Sequence, residues 1–131
     1  MKIEQFENLD IWQEARELCK TIRVITEKEN FSKNFNLKNQ ILSSCGSIMD
    51  NIAEGFERGG NKEFIQFLYV AKGSCGETRS QLYRAYDFGY ISDSETKEII
   101  EKTVILSKKI SSLINYLKSS GYRGSKYKAE K

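Results

Sequence analysis

Two carboxylates, Glu54 and Glu77, are the side chains whose type could support acid–base or metal chemistry from inside a helical fold. The partners such chemistry needs are missing. The chain has no histidine, which removes Ser-His and Cys-His nucleophile systems and the Glu-x-x-His ligands of di-iron bundles. A dedicated metal site without nitrogen or sulfur ligands beside the carboxylates is disfavoured. Three cysteines, Cys19, Cys45 and Cys75, lie 26 and 30 residues apart, a spacing that matches no paired-ligand pattern. With no imidazole base to activate them, they read as reduced core thiols of a cytoplasmic protein. No phosphate-binding glycine loop and no dinucleotide fingerprint is present. The expectation is a protein without cofactor, metal or catalytic site.

What remains is chemistry of contact. Arg16, Lys20 and Arg23 recur at i, i+4 and i+7, one basic stripe on a helix. It reads either as a solvated face or as a phosphate-binding one. Residues 1–118 carry 17 basic and 17 acidic side chains, whereas the last 13 hold Arg123, Lys126, Lys128 and Lys131 against Glu130. The net charge of +3 therefore sits in the tail and the body is neutral. Candidate nucleic-acid contacts are Arg16, Lys20, Arg23, Arg123, Lys126 and Lys128. A second group, Gln40, Ser44, Ser47, Asn51 and Gly55, follows one helical line, and Ser74 and Glu77 face the same way on the next helix. Together with Glu54 these form an expected polar layer between two helices.

Stepping outward, 131 residues without a single proline favour one domain of long helices with short connections. No window approaches the ~20 apolar residues of a membrane span. Ile11, Ala15, Leu18, Ile22 and Ile25 step by 4, 3, 4, 3, the seam of a first helix from about Asn8 to Lys28, widened by Trp12 and Cys19. Residues 29–36 lack helical period and read as a loop, with Phe31 and Phe35 plugging the core and Asn34 or Asn36 as the next N-cap. The second helix, to about Arg58, presents Ile41, Cys45, Ile48, Ile52 and Phe56. Gly59-Gly60 stops it, and Asn61 caps the third. That helix presents Phe64, Leu68, Ala71, Cys75, Thr78, Leu82 and Ala85 and ends at Gly89. Ser92-Asp-Ser-Glu95 is a capping box for the fourth helix, lined by Ile99, Lys102, Leu106, Ile110, Leu113 and Leu117 and ended by Gly121. Short connections predict an all-α, antiparallel up-down-up-down four-helix bundle over residues 1–120, with a flexible basic tail over 121–131. Across the second and third helices, levels should match where residue numbers sum to about 120, pairing Ser47 with Ser74 and Ser44 with Glu77.

Several blocks of the chain resemble the four-helix-bundle family named after the 23S rRNA intervening-sequence proteins. They are Phe6-x-x-Leu9-x-x-Trp12-x-x-Ala15, Leu37-x-x-Gln40-Ile41, Ser47-Ile48-x-x-Asn51-Ile-Ala-Glu-Gly55, Phe64-x-x-Phe67-Leu68-x-x-Ala71-x-Gly73-Ser74-x-x-Glu77 and Gly89-Tyr90-Ile91. Asn-Ile-Ala-Glu-Gly is the most specific of them. The resemblance spans about Phe6 to Leu117 and departs at Asn34-Phe35-Asn36, where the family often has a proline. It implies a bundle that assembles as a homopentamer. A related branch, the accessory variability determinant of diversity-generating retroelements, is a basic pentamer that binds nucleic acid and a reverse transcriptase. The expected function is a non-catalytic oligomer that binds RNA or DNA, structured RNA first. The alternative is a scaffold or accessory subunit for another protein, with no nucleic acid.

Overall fold

The computed structural model describes residues 3–120, all of whose regular structure is helical. A 3-10 turn, Phe6–Asn8, leads into α1 (Asp10–Thr26), the short α2 (Glu29–Lys33), α3 (Phe35–Glu57), α4 (Asn61–Asp87) and α5 (Asp93–Ser119). The four long helices form the expected antiparallel up-down-up-down bundle. They lie in the order α1, α3, α4, α5 around the core, with α3 and α4 in the most extensive contact and α1 and α5 in a slighter one.

The seams expected for the first three long helices are all buried, as are Phe31 and Ile91 at the turns. Three local expectations need correction. Residues 29–33 are a turn of helix, not a loop; it swings Phe31 inward to stack on Tyr90 at 5.2 Å. Phe35 does not plug the core but is 73% exposed, because the face of α3 that turns inward is that of Leu37 and Ile41. On α5, Lys102 is exposed and Leu113 only half-buried, while Thr103 and Ile114 occupy the core face. Thr103 tolerates burial by donating its hydroxyl to the Ile100 carbonyl at 2.6 Å.

The ends of the helices follow from local chemistry. Asn34 accepts the Leu37 N–H at 3.0 Å and donates to the Tyr90 hydroxyl at 3.1 Å, so one side chain caps α3 and ties it to the loop before α5. Asn61 is no cap: Gly60 holds the cap position, and Asn61 is the buried first residue of α4, donating to the Leu117 carbonyl at 3.4 Å. Gly89, at φ +80°, closes α4, with the Tyr90 N–H on the Ala85 carbonyl and the Gly89 N–H on that of Tyr86. This left-handed turn is the one glycine makes at no steric cost. The capping box of α5 is present in full: Ser92 accepts the Glu95 N–H, and Glu95 accepts the Ser92 N–H. Gly121 lies outside the described residues.

Lys109 of α5 reaches across to Asp10, at 2.8 Å, and Glu14 of α1. Hydrogen bonds to these two carboxylates, Asp10 first, raise its pKa above the ordinary lysine value. A raised lysine pKa stabilises the fold below the unfolded-chain pKa and is lost only as pH climbs through the folded one, so the clasp holds at neutral pH. All three groups are solvent-accessible. Lys109→Met is therefore expected to lower Tm slightly in low salt, with the difference from the parent shrinking in molar salt. Paired thermal melts at two ionic strengths check this.

Candidate functional site

The polar layer is built where α3 and α4 face each other. Ser47 and Ser74 meet at 2.9 Å, hydroxyl to hydroxyl, at the expected level. Ser44 does not meet Glu77. It lies 2.8 Å from the Thr78 hydroxyl and 2.6 Å from Gln81 Oε1. One assignment of protons satisfies this chain: Thr78 donates to Ser44, and Ser44 donates to Gln81. Ser44, Ser74, Thr78 and Gln81 are all buried. Asn51 is half-buried and donates back within α3, to the Ser47 carbonyl at 2.8 Å and its hydroxyl at 2.9 Å. It orients Ser47 and does not itself cross to α4.

Three members of the expected layer lie outside it. Glu77 is exposed, because Thr78, one residue further around α4, takes the inward position. Glu54 is exposed and receives Arg58 from the next turn at 3.0 Å. Gln40 is exposed, accepting from Arg84 of α4 at 3.0 Å and donating to Asn36. The residues that complete the layer, Thr78 and Gln81, follow Ser74 at i+4 and i+7. That spacing was the signal for them, masked because Thr78 also fits the apolar seam.

Just below this layer Gly55 sets how closely the helices approach. A Cβ there would stand 2.6 Å from the Cβ of Phe67 and 3.1 Å from Phe64 Cδ1. Outside the layer a groove of about 410 Å³ runs past Asn36, Asn39, Gln40, Ser43, Ser47 and Glu77; none of its lining side chains is basic. It suits hydrogen-bonding groups, not phosphate. A second groove of about 410 Å³ lies across the bundle between α1 and α5, over Leu18 and Ile105, with Glu14, Glu17 and Lys102 at its rim.

Arg16, Lys20 and Arg23 are exposed on α1 as the stripe requires. Each has a neighbour. Lys20 pairs with Glu17 at 3.3 Å, Arg23 with Glu27 at 2.8 Å, and Arg16 lies over the Trp12 ring at 5.7 Å. The Arg23 hydrogen bond, with help from Lys38, holds the Glu27 carboxyl below the usual range, so Glu27 stays charged. Arg123, Lys126 and Lys128 lie outside the described residues.

The outer face of α4 carries a pattern not singled out in full by the sequence. Tyr69, Gly73, Gly76, Ser80 and Tyr83 step by 4, 3, 4, 3, and every one is exposed or half-buried. This is the spacing of a packed seam, turned toward solvent. A Cβ added at Gly73, Gly76 or, on α3, Gly46 would meet nothing within 4 Å. Among the described residues no contact calls for glycine at these three positions.

Among the described residues no group of three or more histidine, cysteine or acidic side chains is placed to hold a metal ion. No described helix is long and apolar enough to cross a membrane. Cys75 is buried, donates to the Thr103 carbonyl at 3.2 Å, and has its thiol pKa pushed up to about 11 by burial. Cys19 is half-buried on α1, Cys45 buried on α3.

A family model described as 23S rRNA-intervening sequence protein matches residues 7–112. Among solved structures, one is similar over 79% of this chain and 97% of its own, with a TM-score of 0.73 and 25% identity. That structure is of a protein of unknown function from the S23 ribosomal protein family of Bacteroides thetaiotaomicron VPI-5482. No curated protein matches the sequence.

Proposed function

Because the chain belongs to the 23S rRNA-intervening sequence protein family, we propose that it works as a non-catalytic homo-oligomer, a pentamer, that binds structured RNA. The observation that carries the assembly is the seam on α4. A mid-helix glycine costs about 1 kcal/mol relative to alanine. Gly73 and Gly76 incur that cost on an outward face where no described residue of their own chain crowds them. A helix of a second copy, lying between Tyr69 and Tyr83, gives the small floor a purpose, because glycine lets helix backbones approach closely. Five copies of a +3 chain carry about +15, enough for binding driven by release of counterions from RNA.

Light scattering and an RNA titration test the two halves. The parent chain is expected at five times its chain mass. Gly73→Leu, whose side chain enters open space in the lone chain, is expected to stay helical and run as a monomer. A parent chain that remains monomeric at high concentration overturns the assembly. RNA affinity is expected to fall linearly in log–log form with salt. Absence of affinity at low ionic strength overturns the RNA half.

A second reading, an interaction scaffold that recruits another protein, is favoured by one observation. The described basic stripe is already engaged by Glu17, Glu27 and Trp12, so phosphate must compete for it. A pull-down insensitive to nuclease and enriched in one protein selects this reading over RNA.

A further inference from the structure

The groove between α3 and α4 holds hydrogen-bonding capacity that the chain leaves unused. Ser47 and Ser74, on its floor, share one hydrogen bond, and Asn51 donates to the Ser47 hydroxyl. Each hydroxyl carries one proton. Whichever serine donates to the other, one of the two protons finds no acceptor among the described residues. Ser74 is only 9% exposed and Ser47 is half-buried, so this spare donor lies at the bottom of a recess. On the wall, Glu77 makes no ion pair and no hydrogen bond among the described residues, and no side chain lining the groove is basic. Asn39, on the α3 side, is equally unengaged. Beyond the groove, Arg84 stands about two turns along α4 from Glu77, held by a hydrogen bond to Gln40. A guanidinium has five N–H donors, so most of its capacity remains.

We propose that this groove receives one unpaired guanine base of an RNA, an inference that rests on the RNA reading above and adds the base to it. The Glu77 carboxylate is a pair of acceptors, so its counterpart must present two adjacent donors. On their Watson–Crick edges adenine and cytosine offer one amino group beside an acceptor, and uracil offers a single N–H between two carbonyls. Guanine alone places N1–H and its 2-amino group side by side, with the O6 acceptor next to them. Glu77 accepts from N1–H and the 2-amino group, and the spare serine proton or the Asn39 amide donates to O6. The groove's volume of about 410 Å³ falls among small-molecule sites, about 300–1,000 Å³, and has room for a single base. The phosphate stays outside, because the Glu77 carboxylate repels it, and Arg84 is placed to meet it there. Proteins read structured RNA chiefly at unpaired loop bases, by hydrogen bonds to their Watson–Crick edges. The groove is thus matched to a loop nucleotide and not to a paired stem.

The test uses the full chain and hairpin RNAs that differ at one loop position, G, A, C, U or inosine, in a loop otherwise of uridine. Affinity is measured by fluorescence anisotropy at one low salt concentration. The G hairpin is expected to bind about tenfold more tightly than the A, C and U hairpins, the scale of one good bidentate base contact. Inosine, which lacks the 2-amino group, is expected to fall between. Glu77→Gln is expected to erase the preference for G without loss of helix content, since the side chain makes no polar contact among the described residues. Glu63→Gln removes the same charge from an exposed position on α4 and is expected to keep the preference, which separates base reading from general charge. Equal binding of all five hairpins, or a preference for G that survives Glu77→Gln, overturns the role of the groove and leaves RNA binding standing. A parent chain that binds none of the hairpins overturns the RNA reading and this inference together.

Discussion

Gly55→Val is expected to lower the stability of the chain by about 4–5 kcal/mol, and Gly55→Ala by about 1–3 kcal/mol, the usual range for overpacking a core. The contact responsible is between a Cβ and a Cβ. At 2.6 Å from Phe67 Cβ, neither atom can escape by choosing another rotamer, since both are fixed to their helices. Phe64, buried on the same side, blocks sideways relief. Alanine's better helix propensity offsets up to about 1 kcal/mol of the clash. Valine's branches add contacts that only separation of α3 from α4 can relieve, a cost on the order of 4–5 kcal/mol against a total of about 5–15. Thermal and urea unfolding followed by circular dichroism give the answer. An alanine variant as stable as the parent would mean that the two helices sit further apart than described.

Ser44→Ala is the second large effect. One hydroxyl joins Thr78 of one turn to Gln81 of the next, so its removal strands the buried Gln81 carbonyl oxygen. The expected loss is about 1–3 kcal/mol, the desolvation penalty of an unpaired buried polar group. A triple variant, Ser44→Ala, Thr78→Val, Gln81→Leu, is expected to regain most of it, because no group is then left unpaired. Urea midpoints of the single, double and triple variants measure the coupling. Additive losses across the set would show that the three side chains act independently and that the layer is not a network.

The bundle was legible because its signals are repetitive. Ile11 to Ile25 and Phe64 to Ala85 each repeat a 4, 3 step over several turns, and each repeat is an independent vote for the same face. Where only one residue decides, reading by spacing failed. Phe35 has the right chemistry for a plug, yet the phase of α3 is set by Leu37 and Ile41. Lys102 and Thr103 are adjacent, and choosing between them needs the position of α1 and α4 around α5. The layer shows the same limit. Ser47 and Ser74 are legible because both are small and level, while Gln81 is not, because a long amide looks like a surface residue until a buried hydroxyl is placed beside it. Glu77 looked inward by alignment with Ser74, but a rotation of one residue puts Thr78 there instead. The α4 seam is hard to see in the sequence, because Gly73, Gly76 and Ser80 are small and the tyrosines that frame them look like ordinary surface aromatics.

Each long helix lies against the long helix that follows it in the chain, and of the contacts between long helices the slighter α1–α5 one joins the most distant segments. Searching for such partners requires closing only short loops, so refolding from urea belongs in the microsecond-to-millisecond range typical of helical bundles. The α1–α5 contact, where Lys109 meets Asp10 and Glu14, closes the longest loop and is expected to form last. Substitution of Lys109 should hasten unfolding and leave the rate of folding nearly as it was.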